Sequence, residues 1–186
     1  MTPVRLGPWR IDPDVRDSVG RPLPIAVAAL ARSMAAALTA AGSPSPASIG
    51  LILSDDTELA ELNETHLGHD GPTDVLSFPL LPPEAFPPHP GDPDRGTVPP
   101  AGSPEAFTGP PGRRVHLGDV VVSVERAAEQ AAEGRGGQTG DVRWSVADEL
   151  RLLVVHGTLH LCGWDHADPA EEAAMRALEQ QLLARR

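Results

Sequence analysis

Apolar positions along this chain fall into short strand-like runs separated by longer stretches with a helical period. Val4 to Ile11 predicts a first strand. Leu23 to Ala40 is rich in alanine and leucine, carries proline only at its start and is followed by Gly42, which together predict a helix. Ser43 to Pro46 reads as a turn and Ser48 to Leu53 as a short buried strand. Asp55 followed by Glu58 has the spacing of a capping box, so a helix is expected from Asp56 to about His66, with Leu59 and Leu62 inward. Thr73 to Phe78 predicts a strand closed by Pro79, and Val115 to Ser123 predicts another, with its valines clustered. Glu125 to Glu133 is a short helix and Gly134 to Gly140 a flexible loop. Ser145 and Asp148 form a second capping-box pattern, opening a helix that buries Leu150, Leu153 and Val154. Asp168-Pro169 followed by Glu171 starts the last helix, where Met175, Leu178 and Leu182 lie on one stripe.

The order is strand, helix, strand, helix, two strands and three helices. Consecutive strands favour a small mixed sheet, hence an α+β fold rather than a doubly wound parallel one. A chain of 186 residues suits a single domain spanning 1–186. From Pro82 to Arg114 the pattern stops: eleven of 33 residues are proline and five are glycine. Such a segment lacks amide donors and apolar surface, so it is expected to be a surface insertion, extended or mobile.

Composition narrows the function classes. No apolar run is long enough to span a membrane, and Met1 to Gly20 has no basic start followed by an apolar block, so neither a membrane span nor a secretory leader is expected. Cys162 is the single cysteine and can form no intramolecular disulfide, in keeping with a reducing cytoplasm. The formal net charge is −11, and arginine supplies every fixed side-chain positive charge because lysine is absent. Bulk attraction to nucleic acid is therefore disfavoured; an RNA substrate would need a local patch or delivery by a partner.

Chemistry concentrates between His156 and His166, which read His-Gly-Thr-Leu-His-Leu-Cys-Gly-Trp-Asp-His. His156 and His160 are four apart on a predicted helix and so stand on one face, where two imidazoles can converge on one ion. Gly163 is the expected helix stop, after which the chain can turn back and present His166 as a third ligand. Three protein ligands leave a position open for water, the mark of a catalytic site. The spacing is that of the long metzincin motif, except that Gly157 stands where those proteases carry the glutamate general base. Cys162 lies on another side of the helix and reads as a buried thiol. Asp165 could orient a ligand or handle a proton, and could equally cap the final helix region. His66, His69 and His116 are isolated and read as ordinary polar contacts.

The segment His156 to His166 resembles the signature of the YbeY family of bacterial endoribonucleases, also called rRNA maturation factors. Two further blocks resemble that family's hallmarks in the same order: Leu62-Asn63 followed by Pro72-Thr73-Asp74-Val75-Leu76-Ser77-Phe78-Pro79, and Leu117-Gly118-Asp119-Val120-Val121-Val122-Ser123. The resemblance implies a zincin-like α+β domain, related in shape to zinc protease catalytic domains. It implies one divalent ion, expected to be zinc, on His156, His160 and His166. It also implies cleavage of RNA phosphodiester bonds in maturing the 3′ end of small-subunit ribosomal RNA, a part in ribosome quality control, and partners that are ribosomal rather than DNA or membrane. Many members carry an arginine four residues after the asparagine matching Asn63, where this chain has Leu67. Leucine cannot clamp a phosphate, so the candidates for that task are Arg113, Arg114, Arg143 and Arg151. Two alternatives stand beside the nuclease: a peptide hydrolase, which Gly157 disfavours, and a non-enzymatic ribosome assembly factor with a structural metal.

Overall fold

The computed structural model describes residues 1–20, 22–92, 114–134 and 144–184. The strands are β1 (Val4–Leu6), β2 (Trp9–Val15), β3 (Ala47–Ser54), β4 (Val75–Pro79) and β5 (Val115–Ser123). The helices are α1 (Val27–Ala40), α2 (Asp56–Leu67), α3 (Val124–Glu133), α4 (Val146–Leu161) and α5 (Pro169–Leu183). The strands form one mixed sheet in the order β1-β2-β3-β5-β4. The central pairs β2–β3 and β3–β5 are parallel, while β1 and β4 run antiparallel at the two edges. This is the expected α+β class with a small mixed sheet.

Two expected elements differ. Val4 to Ile11 is not one strand: Gly7, at φ 60°, turns the chain between β1 and β2, and the apolar alternation on either side belongs to two paired strands. The first helix begins at Val27 rather than Leu23, because Pro24 and the extended Ala26 precede it.

β3 is buried at most positions, and Leu51, Leu53, Val120 and Val122 are sealed from solvent. These four residues pair across β3 and β5 and line the face of the sheet that meets the core. The described elements share one core, to which α1 contributes Leu30, Met34 and Leu38 and α4 contributes Leu150, Leu153 and Leu159. α4 is the central helix, packed on β4, β5, α1, α3 and α5. It opens with the complete Ser145–Asp148 capping box expected from the sequence. On α2, Leu59 is buried as expected, while Leu62 is only half-buried.

The insertion is only partly as expected. Residues 93–113 lie outside the described residues, as do residues 135–143, which include most of the loop expected from Gly134 to Gly140. The stretch before them is packed, not extended into solvent. Pro83–Ala85 makes a short 3-10 turn, Phe86 is buried and so is His89. Proline removes amide donors, but it also removes conformational freedom in the unfolded chain, so a few apolar and aromatic contacts suffice to hold such a segment.

At the start of α2, Asp55 caps the Glu58 amide at 2.9 Å. The reciprocal half of the expected box is replaced: the Glu58 carboxylate accepts from Ser54 and pairs with Arg16 at 2.9 Å, tying α2 to the end of β2. The Arg16 guanidinium, assisted by Ser54, holds the Glu58 carboxyl below its usual range. A depressed carboxyl contributes stability above its unfolded pKa, about 4.3, and loses it as pH falls through the lower folded value. Glu58→Gln should therefore lower the unfolding free energy near pH 7 by less than about 1 kcal/mol for this partly exposed pair. The difference from the parent should shrink toward zero near pH 3, as measured by urea titrations at the two pH values.

Candidate metal centre

The two helical histidines sit in the last half of α4 and project together. The His156 and His160 Nε2 atoms are 3.0 Å apart. His166 closes the group, and the candidate ligand atoms of all three lie within 4.8 Å of one another. Two features of the sequence produce this geometry. The four-residue spacing stacks the first two rings on one face. Gly163, at φ 85°, then ends the helix in a Schellman turn, with Gly163 N donating to the His160 carbonyl at 2.9 Å and Trp164 N to the Leu159 carbonyl at 3.1 Å. A residue with a side chain is strained at that φ, which is why glycine stands there.

The outer nitrogens of both rings are occupied. His156 Nδ1 lies 2.7 Å from Glu179 Oε1 and His160 Nδ1 lies 2.8 Å from the Trp164 carbonyl. These acceptors place the protons on Nδ1 and leave the Nε2 lone pairs facing each other. Two lone pairs at that separation repel unless a cation or a proton lies between them. Burial, then the charges of His156 and His166, push His160 down to about 4, so its ring is neutral near pH 7. Tetrahedral zinc–imidazole geometry sets neighbouring nitrogens about 3.3 Å apart. The trio therefore fits a divalent ion on its donor chemistry as well as its spacing.

The site opens into a cleft of about 300 Å³ whose lining includes His156, His166, Asp74, Arg176 and Glu179. His166 is exposed at its mouth, while Glu179 is buried beneath His156. Gly157 explains the missing glutamate. A Cβ there would fall 2.7 Å from Val120 Cγ1 and 2.8 Å from Val75 Cγ2. Its carbonyl accepts from Ser77 Oγ at 2.8 Å. Position 157 faces the sheet, so no side chain at all is accommodated where a protease would place its base.

The other sequence candidates separate. Cys162 is buried 3.1 Å from Ser43 Oγ, burial pushes its thiol up to about 11, and it stands outside the group formed by the three histidines. Asp165 accepts from the His166 amide at 2.8 Å and does not line the cleft; the cap of α5 is Asp168. Arg114 donates to the Pro8 carbonyl, at the end of β5 opposite Asp74. Arg151 is half-buried on α4 and does not line the cleft. Arg113 and Arg143 lie outside the described residues. Leu67 is exposed at the end of α2 and does not line the cleft either. His116 makes ordinary contacts with Ser48 and Asp119, and His66 lies edge-on to Phe78.

Sequence reasoning missed Glu179 and Arg176. A signal for Glu179 existed: a carboxylate four residues after Met175, inside the apolar stripe of α5. Nothing local distinguishes Arg176.

A helix bearing two histidines, a third histidine beyond a glycine turn, and an antiparallel edge strand beside that helix define a zincin-like hydrolase domain. More specifically, residues 24–186 match the family model described as Endoribonuclease YbeY, and the chain belongs to that family. Among its relatives, Endoribonuclease YbeY of Salinispora tropica is 41% identical over 159 residues, covering 86% of this chain and 85% of the relative. Endoribonuclease YbeY of Symbiobacterium thermophilum is 38% identical over 147 residues, covering 79% and 76%. The solution structure of TM1509 from Thermotoga maritima superposes with a TM-score of 0.47 at 19% identity, covering 94% of this chain and 89% of that one.

Because Gly157 contacts β-branched side chains that cannot swing away, Gly157→Ala should destabilise the fold by about 1–3 kcal/mol. Thermal unfolding followed by circular dichroism measures this. An unchanged midpoint would show that α4 does not press on β4 and β5 as described.

Proposed function

We propose that this chain is a metal-dependent endoribonuclease in which His156, His160 and His166 hold one divalent ion, zinc by the chemistry of a three-imidazole donor set. The observation that carries the reading is the convergence of two Nε2 lone pairs whose Nδ1 protons are already engaged. Family membership supplies the substrate class, RNA. The reading extends to ribosomal RNA, with 3′-end maturation of the small-subunit RNA as the task and the cytoplasm and ribosome as the setting. Among the described residues, no helix is long and apolar enough to cross a membrane.

Each residue of the site has a task. Glu179 orients His156, and the Trp164 carbonyl orients His160, so that both rings present Nε2 to the ion. When bound, the ion supplies Lewis acidity that polarises a phosphoryl oxygen and makes water a competent nucleophile near neutral pH. Arg176, in the cleft wall and 2.6 Å from Glu172, is the arginine placed to meet a phosphate, taking over from the missing arginine at position 67. The peptide-hydrolase alternative loses its remaining support, since position 157 has no room for a base.

Purified protein should hold one zinc per chain and cut unstructured RNA but not casein. His160→Ala or a chelator should lower RNA cleavage roughly 100-fold or more. Intact RNA together with chelator-sensitive casein cleavage would overturn the proposal. Arg176→Ala should raise KM for RNA about fivefold to tenfold while leaving zinc content unchanged. A KM equal to that of the parent would remove Arg176 from the substrate site.

A further inference from the structure

The third ligand, His166, sits on a turn outside the helix, and a turn has no backbone ladder to fix it. Something must hold it, because each freely rotating ligand weakens a metal site. The structure supplies a clamp from an unexpected quarter, the packed beginning of the proline-rich insertion.

His89 is the centre of it. Its side chain is 3% exposed. Its ring stacks on the indole of Trp164, with centroids 4.2 Å apart and planes 15° from parallel. Nε2 lies 3.1 Å from the Gly163 carbonyl and 3.3 Å from Glu171 Oε1, so one N–H points between two acceptors. Nδ1 is buried with no hydrogen-bond partner among the described residues, which leaves Nε2 as the nitrogen that carries the proton.

Glu171 carries the clamp onward. The same Oε1 accepts from the Asp165 amide at 2.9 Å, directly before His166. Gly91 lies so close to α5 that a Cβ there would sit 2.5 Å from the Glu171 amide nitrogen. Residues 163, 164 and 165 are thus each gripped by His89 or by Glu171, while the Trp164 carbonyl also receives the His160 ring. A buried imidazole with an unpaired nitrogen is costly unless the rest of its contacts compensate. Its placement against the ligand turn gives that cost a purpose.

We propose that His89, acting through Trp164 and Glu171, is a positioning residue that fixes the turn carrying His166 and so sets the affinity and geometry of the metal site. The inference rests on the reading of His156, His160 and His166 as ligands.

The test measures zinc affinity by competition with a chromophoric chelator, and the visible spectrum after cobalt(II) loading, on the full chain. His89→Ala should bind zinc about tenfold or more weakly. His89→Phe keeps a ring to stack on Trp164 but lacks the donor, and should also lose affinity and show an altered cobalt band. His89→Gln, whose amide nitrogen can still donate, should recover most of the affinity and the parental band. A purely structural role would lower the unfolding temperature of the metal-free protein without changing the affinity or the cobalt spectrum of the folded fraction. Should His89→Ala fail to fold, His89→Phe and Glu171→Ala carry the measurement, with the same loss expected. Parental zinc affinity in the folded variants sinks the inference alone. Absence of stoichiometric zinc in the parent chain sinks the metal-site reading and this inference with it.

Discussion

The close approach of α4 to the sheet at Gly157 is the constraint on which the site depends. A helix can roll about its axis, and the roll decides which side chains meet the core. Here the roll is set by a position without a side chain, pressed against Val75 and Val120, and by the bond from Ser77 to the Gly157 carbonyl. With that face of the helix committed to β4 and β5, the neighbouring His156 and His160 turn toward each other and toward His166. Burial of Leu153 and Leu159 holds the same orientation. The packing that stabilises the domain and the aim of its functional groups are therefore one fact, not two.

What could be read from the sequence follows how local each determinant is. The helical histidine pair and the Gly163 stop are encoded within a few residues, and the structure realises both. The capping box at Ser145 is equally local and is complete. At Asp55 the same pattern is only half realised, because Arg16, forty-two residues away, captures the Glu58 carboxylate. The hairpin at Gly7 is written locally too, since the apolar alternation changes parity at Gly7-Pro8, from Val4 and Leu6 to Trp9 and Ile11, and reading one strand across that dipeptide passes over a turn signal. The proline-rich segment misled in the opposite direction. Its composition is that of a solvated loop, yet Phe86 and His89 find buried partners that no spacing rule links to them. Glu179 and His89 both act through contacts across long sequence separations, which a single chain read in order does not display.

The electrostatics are arranged around pairing. Away from the cleft, Arg10 meets Asp12, Arg16 meets Asp14 and Glu58, and Arg126 meets Asp56 and Glu129. With acidic groups in excess, these pairs neutralise arginines that would otherwise draw a polyanion to the surface. Recognition of RNA by such a chain is consequently a matter of the cleft rather than of its overall field.

The ligand trio bears on that problem. Imidazoles donate without contributing negative charge, unlike carboxylates or thiolates. A dication seated on them keeps nearly its whole double charge, moderated by Glu179 behind His156. Occupancy would thus place a concentrated positive charge at one spot on an otherwise acidic molecule.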